Sequence, residues 1–340
     1  MLSIKYWKKE LAFKYPFTIS KGTKTHQPVF VVEISWRGVK AYGEAPAISY
    51  YNITTEKMAE DLEAKRTAIE KFSFTDPKRF WHFLHHLIPN NPFLVSALDM
   101  AGWDLYGKIR RLPLHNIWCA DLDQIPFTDY TIGMDSKEKM LEKIQEHPAP
   151  IYKIKVGGIQ DLENLEAIRS VTNATIRVDA NAGWNYQQAV ELLPELEKFG
   201  VELIEQPLSK DQWEEMVELK KKSTIPLIAD ESCVFLKDVE PCINSFDGIN
   251  IKLTKSSGIT PALEMIKLAR KNNLKIMLGC MNESTLGTSA LVHLSPMVDY
   301  LDADGPLLLS EDLATGLTLK DHTWRLPSLP GLGVFMNEDL

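Results

Sequence analysis

The chain has 340 residues, of which 44% are hydrophobic and 25% charged, a composition typical of globular proteins and not of disordered ones. Its 46 acidic residues outnumber its 38 basic ones, and the net charge of −8 argues against a protein that binds nucleic acid through a basic face. The length favours two domains, or one large barrel with an attached domain.

No apolar stretch approaches the roughly 18 residues needed to cross a membrane, and the first residues lack the apolar core of a signal peptide. The four cysteines form no CxxC pair, so we interpret them as free thiols that serve as small buried core residues. They are Cys119, Cys233, Cys242 and Cys280. We therefore expect a cytoplasmic protein that binds no membrane.

The first third of the chain mixes strand and helix signals. Residues 28–36 are rich in β-forming side chains, and Arg37-Gly38 predicts a turn into a second strand at 39–44. The spacing of apolar residues then predicts three helices, at 54–71, 76–87 and 92–109. Strands followed by a run of helices indicate a small α+β domain.

From about residue 125 the chain repeats a short apolar run followed by a helical pattern, about every 25 residues. The runs begin near Ile125, Ile151, Thr175, Val201, Ile225, Gly248, Leu274 and Val298. Helices are predicted between them, for example at 161–171, 186–199, 211–222, 258–272 and 284–294. Eight such units predict a (β/α)₈ barrel. A doubly wound sheet is the alternative, but it rarely has eight even units, and no GxGxxG follows a first strand.

Carboxylates end three consecutive predicted strands, at the barrel edge where catalytic groups gather. These are Asp179, Glu205 and Asp230. Converging carboxylates raise one another's pKa unless a cation lies between them, and all-oxygen ligation favours Mg²⁺, or Mn²⁺, over Zn²⁺. Each carboxylate alone could instead cap the following helix, but three in succession favour one metal ion. We expect Asn181 and Glu231, beside these ligands, to support the site.

Three lysines end the second and sixth predicted strands. Lys153 and Lys155 alternate with Ile154, so they point to one side of their strand, and Lys252 lies diametrically opposite in a ring of eight. One lysine can remove the α-proton of a metal-bound substrate carboxylate, and another can return a proton to the opposite face, with the metal stabilising the enediolate. The metal and Lys153 would lower the pKa of the base. Purely structural salt bridges are the alternative.

Asp302 and Asp304 end the eighth predicted strand, across the barrel from the fourth. By strand alternation both carboxylates point to one face, where they are well placed to bind a cationic group at the far end of a substrate. A pair of solvated loop carboxylates is the alternative.

These strand ends resemble those of the enolase superfamily, in particular its muconate-cycloisomerase-like subgroup. Five motifs match in order and at barrel spacing: Lys153-Ile154-Lys155, Val178-Asp179-Ala180-Asn181, Ile204-Glu205-Gln206-Pro207, Ala229-Asp230-Glu231-Ser232 and Asn250-Ile251-Lys252-Leu253. The resemblance implies an α+β capping domain, made by residues 1–120 and the tail 321–340. Below it lies a modified (β/α)₇β barrel of the TIM type, residues 121–320.

The same resemblance implies roles for the residues at the strand ends. It places one Mg²⁺ on Asp179, Glu205 and Asp230, makes Lys155 and Lys252 the acid and base, and puts Lys153 near the substrate carboxylate. The segment Asp302-Ala303-Asp304 is similar to that of dipeptide epimerases, in which the pair binds the α-ammonium and the C-terminal residue is epimerised. A cycloisomerase or o-succinylbenzoate synthase-type lyase is the alternative within the superfamily, and a non-catalytic peptide-binding barrel is the alternative of another class.

By the resemblance, the side chain of the substrate is selected by two loops of the capping domain, around residues 17–24 and 48–51. The candidates are Ile19, Lys21, Lys24 and Tyr50, with Met281 on the barrel side. Members that act on Ala-Glu use an arginine in the first loop, but residues 17–30 contain none, and lysine lacks the bidentate fork of arginine. We expect a dipeptide with a small or apolar second residue, and the sequence leaves a homo-oligomer open.

Overall fold

The computed structural model describes residues 1–158 and 160–337. Its N-terminal part is an antiparallel sheet whose strands pair in chain order: β1 (Ser3–Ile19), β2 (Gly22–Trp36) and β3 (Val39–Pro46). Three helices pack on this sheet and on one another: α1 (Thr55–Glu70), α2 (Pro77–Leu87) and α3 (Pro92–Arg110). The buried side chains between sheet and helices form a hydrophobic core separate from that of the barrel.

The predicted hairpin is present, but strand β1 was not predicted. It is one of the two edge strands of its sheet and carries many exposed polar side chains, so the alternation of apolar residues that marks a strand is weak. The loop predicted at 17–24 is also wrong in form. It is the tip of the β1–β2 hairpin, in which Phe17 pairs with Lys24 and Thr18 with Thr23, after a shift of register that follows Ala12.

Eight strands form the second sheet and neighbour one another in chain order, with parallel pairing. They are β4 (Tyr130–Ile132), β5 (Ile151–Lys155), β6 (Thr175–Asp179), β7 (Val201–Glu205), β8 (Leu227–Ala229), β9 (Gly248–Ile251), β10 (Lys275–Gly279) and β11 (Tyr300–Asp302). A parallel bridge between Thr128 and Leu301 closes the sheet into a barrel. This closed order excludes the doubly wound sheet.

Helices connect each barrel strand to the next. They are α5 (Lys137–Glu146), α6 (Asp161–Val171), α7 (Tyr186–Lys198), α8 (Trp213–Lys222), α9 (Val239–Ser245), α10 (Leu253–Ser256), α11 (Ile259–Lys271) and α12 (Thr285–Leu294), while α4 (Leu114–Ile117) precedes the barrel. After β11 the chain forms only the four-residue helix α13 (Gly305–Leu308). The barrel is therefore of the (β/α)₇β type.

Four barrel strands begin later than predicted. The first begins at Tyr130 instead of near Ile125, the fifth at Leu227, the seventh at Lys275 and the eighth at Tyr300. Pro226 accounts for the shift of the fifth strand, because it has no backbone N–H to donate to a neighbouring strand. Asp179 and Glu205 end their strands as predicted. Asp230, Lys252 and Asp304 instead lie one or two residues after β8, β9 and β11 end.

Acidic side chains of the N-terminal part cap two helices of the barrel. Asp99 of α3 accepts hydrogen bonds from the Thr260 N–H (2.9 Å) and hydroxyl (2.7 Å) in the first turn of α11. Glu44 of β3 accepts from the N–H groups of Ser284 and Gly287, both at 3.0 Å, where α12 begins. Free N–H groups at helix starts favour carboxylates, so these bonds hold the N-terminal part against the barrel.

The C-terminal segment contacts both parts of the molecule. The Leu332 N–H donates to Asp104 of α3 (2.9 Å), and its carbonyl accepts from the Ser289 hydroxyl (2.6 Å) and from His293 Nε2 (3.1 Å) on α12. Short strands pair around it: β12 (Ala314–Thr315) with β15 (Phe335–Met336), and β13 (Thr318–Lys320) with β14 (Thr323–Arg325). Residues 338–340 of the predicted tail lie outside the described residues.

Among residues 1–158 and 160–337, no helix has both the length and the apolarity needed to cross a membrane. The four cysteines are free, and three of them are buried as expected. Cys119 is exposed, so the expectation of a buried residue is wrong for this cysteine.

Candidate active site

The C-terminal ends of the barrel strands open into a cavity of about 240 Å³. From the N-terminal part, the tip of the β1–β2 hairpin and the 3₁₀ helix Ser49–Tyr51 complete its wall. Most of the predicted site residues border this cavity: Ile19, Lys21, Lys24, Tyr50, Lys153, Lys155, Asn181, Asp230, Glu231, Lys252, Met281, Asp302 and Asp304. The two remaining ones, Asp179 and Glu205, are fully buried and contact lysines of the cavity wall.

In Asp179 and in Glu205, one carboxylate oxygen accepts a hydrogen bond from a neighbouring asparagine. Asp179 Oδ1 accepts from the Asn181 N–H (2.9 Å), and Glu205 Oε1 accepts from the Asn250 amide (2.7 Å). The second oxygens face lysines instead. Asp179 Oδ2 lies 2.6 Å from Lys155 Nζ, and Glu205 Oε2 lies 2.7 Å from Lys153 Nζ.

Asp230 lies between two lysines. Its Oδ2 is 2.9 Å from Lys252 Nζ, and its Oδ1 accepts a hydrogen bond from Lys255 Nζ. Lys255, on the short helix α10, was missed by the sequence analysis because it does not end a strand. Its only signal is that it is a lysine in a run of small and apolar residues that leads into a helix.

Lys153 is the cation that the carboxylates share. Its Nζ lies 2.7 Å from Glu205 Oε2, 2.7 Å from Asp302 Oδ2 and 3.2 Å from Asp179 Oδ2. Burial opposes the charge of its ammonium group, but Asp302 and the other carboxylates outweigh burial and raise the pKa of Lys153. The salt bridges predicted as an alternative are therefore present, in a buried network that also borders the cavity.

Lysine charges determine which carboxylates are easily ionised. Burial raises the pKa of Asp179, but Lys155 and Lys153 outweigh it, and the net result is a lowered pKa. Burial and the charge of Asp179 raise the pKa of Glu205 to about 7. For Asp230, Lys252 and Lys255 outweigh burial and hold the pKa well below its usual range.

The donor set fits a hard divalent cation. Asp179, Glu205 and Asp230 lie at the ends of neighbouring strands. In each of them one carboxylate oxygen accepts the hydrogen bond described above from Asn181, Asn250 or Lys255, and the second oxygen is the candidate metal ligand. Glu205 Oε2 is buried and makes no hydrogen bond within the described part of the chain, although Lys153 Nζ lies 2.7 Å away. Carboxylate oxygens are the ligands that Mg²⁺ prefers, so the residues present fit this ion.

The carboxylate oxygens of Asp179, Glu205 and Asp230 do not all lie within 4.8 Å of one another, so they are farther apart than expected. Among the described residues, the one group of three ligand atoms within 4.8 Å of one another comprises Cys280, Asp302 and Asp304. Lys153 reaches both Asp179 and Glu205 and takes up their negative charge.

The lowered pKa predicted for a base lysine is not found for Lys252. Burial lowers the pKa of this side chain, but Asp230 and Glu205 outweigh burial and raise it well above its usual value. The side chains around Lys252 therefore raise its pKa instead of lowering it.

Asp302 borders the cavity from the end of β11, and Asp304 borders it from just before α13. The strand predicted to continue to Asp304 ends at Asp302, so alternation along a strand does not explain the position of Asp304. Asp304 accepts a hydrogen bond from the Thr131 N–H (2.6 Å), and its other oxygen lies 3.5 Å from the Cys280 thiol. Burial and the charge of Asp302 raise the pKa of Asp304 to about 6. Asp302 is paired with Lys153, so Asp304 is the more available carboxylate for an incoming cation.

The two lysines of the hairpin tip differ in their partners. Lys21 Nζ lies 2.8 Å from Glu231 Oε1 and 3.9 Å from the centroid of the Tyr50 ring. Lys24 is half-buried, and burial lowers its pKa. Its Nζ donates to Gln27 Oε1 at 3.4 Å, and it forms no ion pair with any carboxylate that the structure describes. Glu231 therefore contacts the hairpin tip through Lys21.

Two family models together match nearly the whole chain. Residues 1–118 match the mandelate racemase / muconate lactonizing enzyme N-terminal domain, and residues 135–340 match the enolase C-terminal domain-like family. The first match covers the N-terminal sheet with its helices, and the second covers the barrel after its first strand β4, together with the C-terminal segment.

The chain is also similar to characterised proteins over most of its length. It is 45% identical to an L-Ala-D/L-amino acid epimerase of Flavobacterium johnsoniae, over 95% of this chain and 96% of that protein. It is 37% identical to an L-Ala-D/L-Glu epimerase of Bacteroides thetaiotaomicron, over 96% and 85% of the two chains. The crystal structure of a dipeptide epimerase from Cytophaga hutchinsonii, complexed with Mg and D-Ala-L-Val, has a TM-score of 0.93 and 30% identity, with 100% and 97% coverage.

Proposed function

The chain belongs to the enolase superfamily, and on this premise we propose that it is a Mg²⁺-dependent dipeptide epimerase that inverts the α-carbon of the C-terminal residue. One observation carries the proposal. Lys155 and Lys252, on barrel strands that are four positions apart, pair with different members of one carboxylate cluster and border one cavity. Two amines on opposite sides of a site are what inversion by two bases requires.

Asp179, Glu205 and Asp230 are the proposed ligands of one Mg²⁺. When bound, the ion would supply positive charge that stabilises the negative charge developing on the substrate carboxylate during proton removal. Lys153 supports the same carboxylate, because its ammonium group is held charged by three acidic neighbours. Mn²⁺ is the alternative ion, since it accepts the same oxygen ligands.

Lys155 and Lys252 are the proposed acid and base. One lysine, as the neutral amine, takes the α-proton, and the other, as the ammonium ion, delivers a proton to the opposite face of the same carbon. Their roles exchange when the substrate has the other configuration. Pairing with Asp230 and Glu205 raises the pKa of Lys252 and so favours its ammonium form.

Asp304 and Asp302 are the proposed site for the α-ammonium group of the dipeptide. Asp304 supports this role because it is buried, borders the cavity and forms no ion pair with a lysine or arginine of the described chain. The substrates of a lyase of the same superfamily lack this ammonium group, so the pair favours a dipeptide. A non-catalytic peptide-binding barrel would not require two lysines in these positions.

The second residue of the dipeptide is proposed to contact Ile19, Tyr50 and Met281, which supports a small or apolar side chain. A second candidate is an acidic side chain, and one observation favours it. The half-buried Lys24 borders the cavity without an ion pair to any carboxylate described, so an anionic substrate group could neutralise it. Neither candidate changes the chemistry at the α-carbon.

We also propose the division of the chain into a capping domain, residues 1–120 joined by the tail 321–340, and a barrel, residues 121–320. A hydrophobic core made only of buried residues from the N-terminal part supports this division. The four free cysteines support a reducing, cytoplasmic location. Assembly into a homo-oligomer stays a prediction.

The decisive experiment is incubation of the protein with Mg²⁺ and a dipeptide library in D₂O. We expect deuterium at the α-carbon of the C-terminal residue, together with formation of the other epimer, and loss of both after removal of the metal with EDTA. If no dipeptide gains deuterium, the proposal is wrong. Turnover of muconate or of the o-succinylbenzoate precursor instead would select the lyase, and tight metal-free peptide binding without exchange would select the binding protein.

A further inference from the structure

Lys255 is a buried cation for which the proposed proton transfer has no use. Its side chain is 0% exposed, so it cannot reach a substrate in the cavity. Its Nζ donates to Asp230 Oδ1 and lies within hydrogen-bond distance of three backbone carbonyls, those of Asp230 (2.6 Å), Cys233 (3.2 Å) and Asn250 (3.3 Å). An ammonium group has three donors, so this lysine is fully engaged.

Lys252 differs from Lys255 in its surroundings, although both are buried and contact the same carboxylate. Lys252 borders the cavity, and its one described ion pair is with Asp230 Oδ2. The two oxygens of Asp230 are therefore divided between a fixed lysine and a lysine that faces the substrate. An incoming ion competes with Lys252 for Oδ2, but the carbonyl contacts keep Lys255 in place.

We propose that Lys255 is a positioning residue, which fixes Asp230 so that Oδ2 alone is offered to Mg²⁺ and to Lys252. The inference rests on the proposed function, because it assumes that Mg²⁺ binds at Asp230. The other two ligands are restricted in the same manner, Asp179 by the Asn181 N–H and Glu205 by the Asn250 amide. Of the three groups that donate hydrogen bonds to the ligand carboxylates, Lys255 is the one that carries a charge.

Replacing Lys255 has two opposite effects on the affinity for Mg²⁺, one from its charge and one from its contact with Asp230. Removing a nearby cation, by itself, strengthens the binding of Mg²⁺, because like charges repel. Removing the tether weakens binding, because the Asp230 carboxylate is then free to rotate away from the ligand position. Loss of a group that orients a metal ligand typically costs about 10- to 100-fold in metal affinity, so we expect the second effect to dominate.

The test is calorimetric titration of Mg²⁺ into metal-stripped protein, with no substrate present. We expect Lys255→Met to bind Mg²⁺ about 10- to 100-fold more weakly than the wild type, and Lys255→Arg to recover part of the loss. Lys143→Met is the matched control, since Lys143 is also buried and pairs with Asp135 away from the cavity. It is expected to bind Mg²⁺ within about twofold of the wild type.

A second readout separates positioning from general disruption. At saturating Mg²⁺, Lys255→Met should slow α-proton exchange from the stereoisomer served by Lys252 more than exchange from the one served by Lys155. Thermal melts of the metal-free variants check folding. If the methionine variant does not fold, Lys255→Gln, which keeps an N–H donor, replaces it in both measurements. A folded neutral variant that binds Mg²⁺ as tightly as the wild type, or more tightly, overturns the inference. A wild type that does not bind Mg²⁺ overturns the proposed function instead.

Discussion

Asp99 and Thr260, which lie in different parts of the molecule, are joined by two hydrogen bonds. The Asp99 carboxylate accepts from the Thr260 N–H at 2.9 Å and from its hydroxyl at 2.7 Å, and both residues are buried. The pair connects the long helix of the N-terminal part to the first turn of a barrel helix. Because the cavity is lined from both parts, this junction also fixes the relative positions of the site residues.

Asp99→Ala should lower the free energy of unfolding by about 1–3 kcal/mol, because it leaves a buried helix-start N–H without its partner. Urea unfolding monitored by circular dichroism measures the loss. Asp76→Ala is the matched control, since Asp76 caps α2 from an exposed position and should cost less. Equal losses in the two variants would show that burial at the junction adds nothing.

Lys155→Ala and Lys252→Ala should each abolish epimerisation, with a loss of at least about 100-fold in turnover, because each removes one of two required proton carriers. Each variant is expected to keep deuterium exchange from one stereoisomer only, and the two variants should keep opposite ones. Proton NMR in D₂O, begun separately from the L- and D-epimers, measures this. Wild-type turnover in either variant would rule out the two-base scheme.

Asp304→Asn should raise the KM for dipeptides by about 10- to 100-fold and change kcat little, because a charged hydrogen bond to the α-ammonium is lost. The N-acetylated dipeptide is the control substrate, since it lacks this ammonium in any case. Initial rates with both substrates check the expectation. An unchanged KM for the free dipeptide would place the ammonium elsewhere.

Lys24→Met should distinguish the two candidate side chains. If Lys24 pairs with an acidic second residue, kcat/KM for Ala-Glu falls by about tenfold or more, while the value for Ala-Leu is unchanged or rises. Competition between the two dipeptides in one reaction gives the ratio directly. An equal effect on both substrates would leave the small or apolar side chain as the better prediction.

Protein stability should depend on a buried histidine pair. His115 Nδ1 and His293 Nδ1 lie 3.0 Å apart, and His293 Nε2 lies 3.1 Å from the Leu332 carbonyl, so His293 donates to Leu332 and accepts from His115. Burial, together with His115, lowers the pKa of His293 to about 3. The unfolded chain then binds a proton below about pH 6.5 that the folded protein does not.

Stability contributed by this pair is therefore complete above about pH 6.5 and is lost progressively as the pH falls toward 3. The slope due to His293 is about 1.4 kcal/mol per pH unit. His293→Gln should remove this slope, even if the variant is less stable at neutral pH. Urea unfolding at pH 7.0, 6.0 and 5.0 compares the two proteins, and equal slopes would contradict the assigned pKa.

The barrel and its central residues were predictable because strand, helix and strand end recur at a regular spacing. Lys153 and Lys155 could be assigned to one side of a strand by alternation alone, and the structure places both at the cavity. Strand β1 was not predictable, since an exposed edge strand has little apolar alternation. Lys255 was not predictable either, because its role depends on carbonyls and a carboxylate that only the folded chain brings together.

The β1–β2 hairpin has a consequence for how such an enzyme can change. The register of its strand pairing shifts after Ala12, and the tip beyond this shift contributes Ile19, Lys21 and Lys24 to the cavity. These residues are separate from the barrel strands that position the proposed reacting groups. Under the proposed function, the choice of substrate and the chemistry are carried by separate stretches of polypeptide. A few replacements in the hairpin tip would then alter the preferred peptide, while the reaction itself is inherited intact.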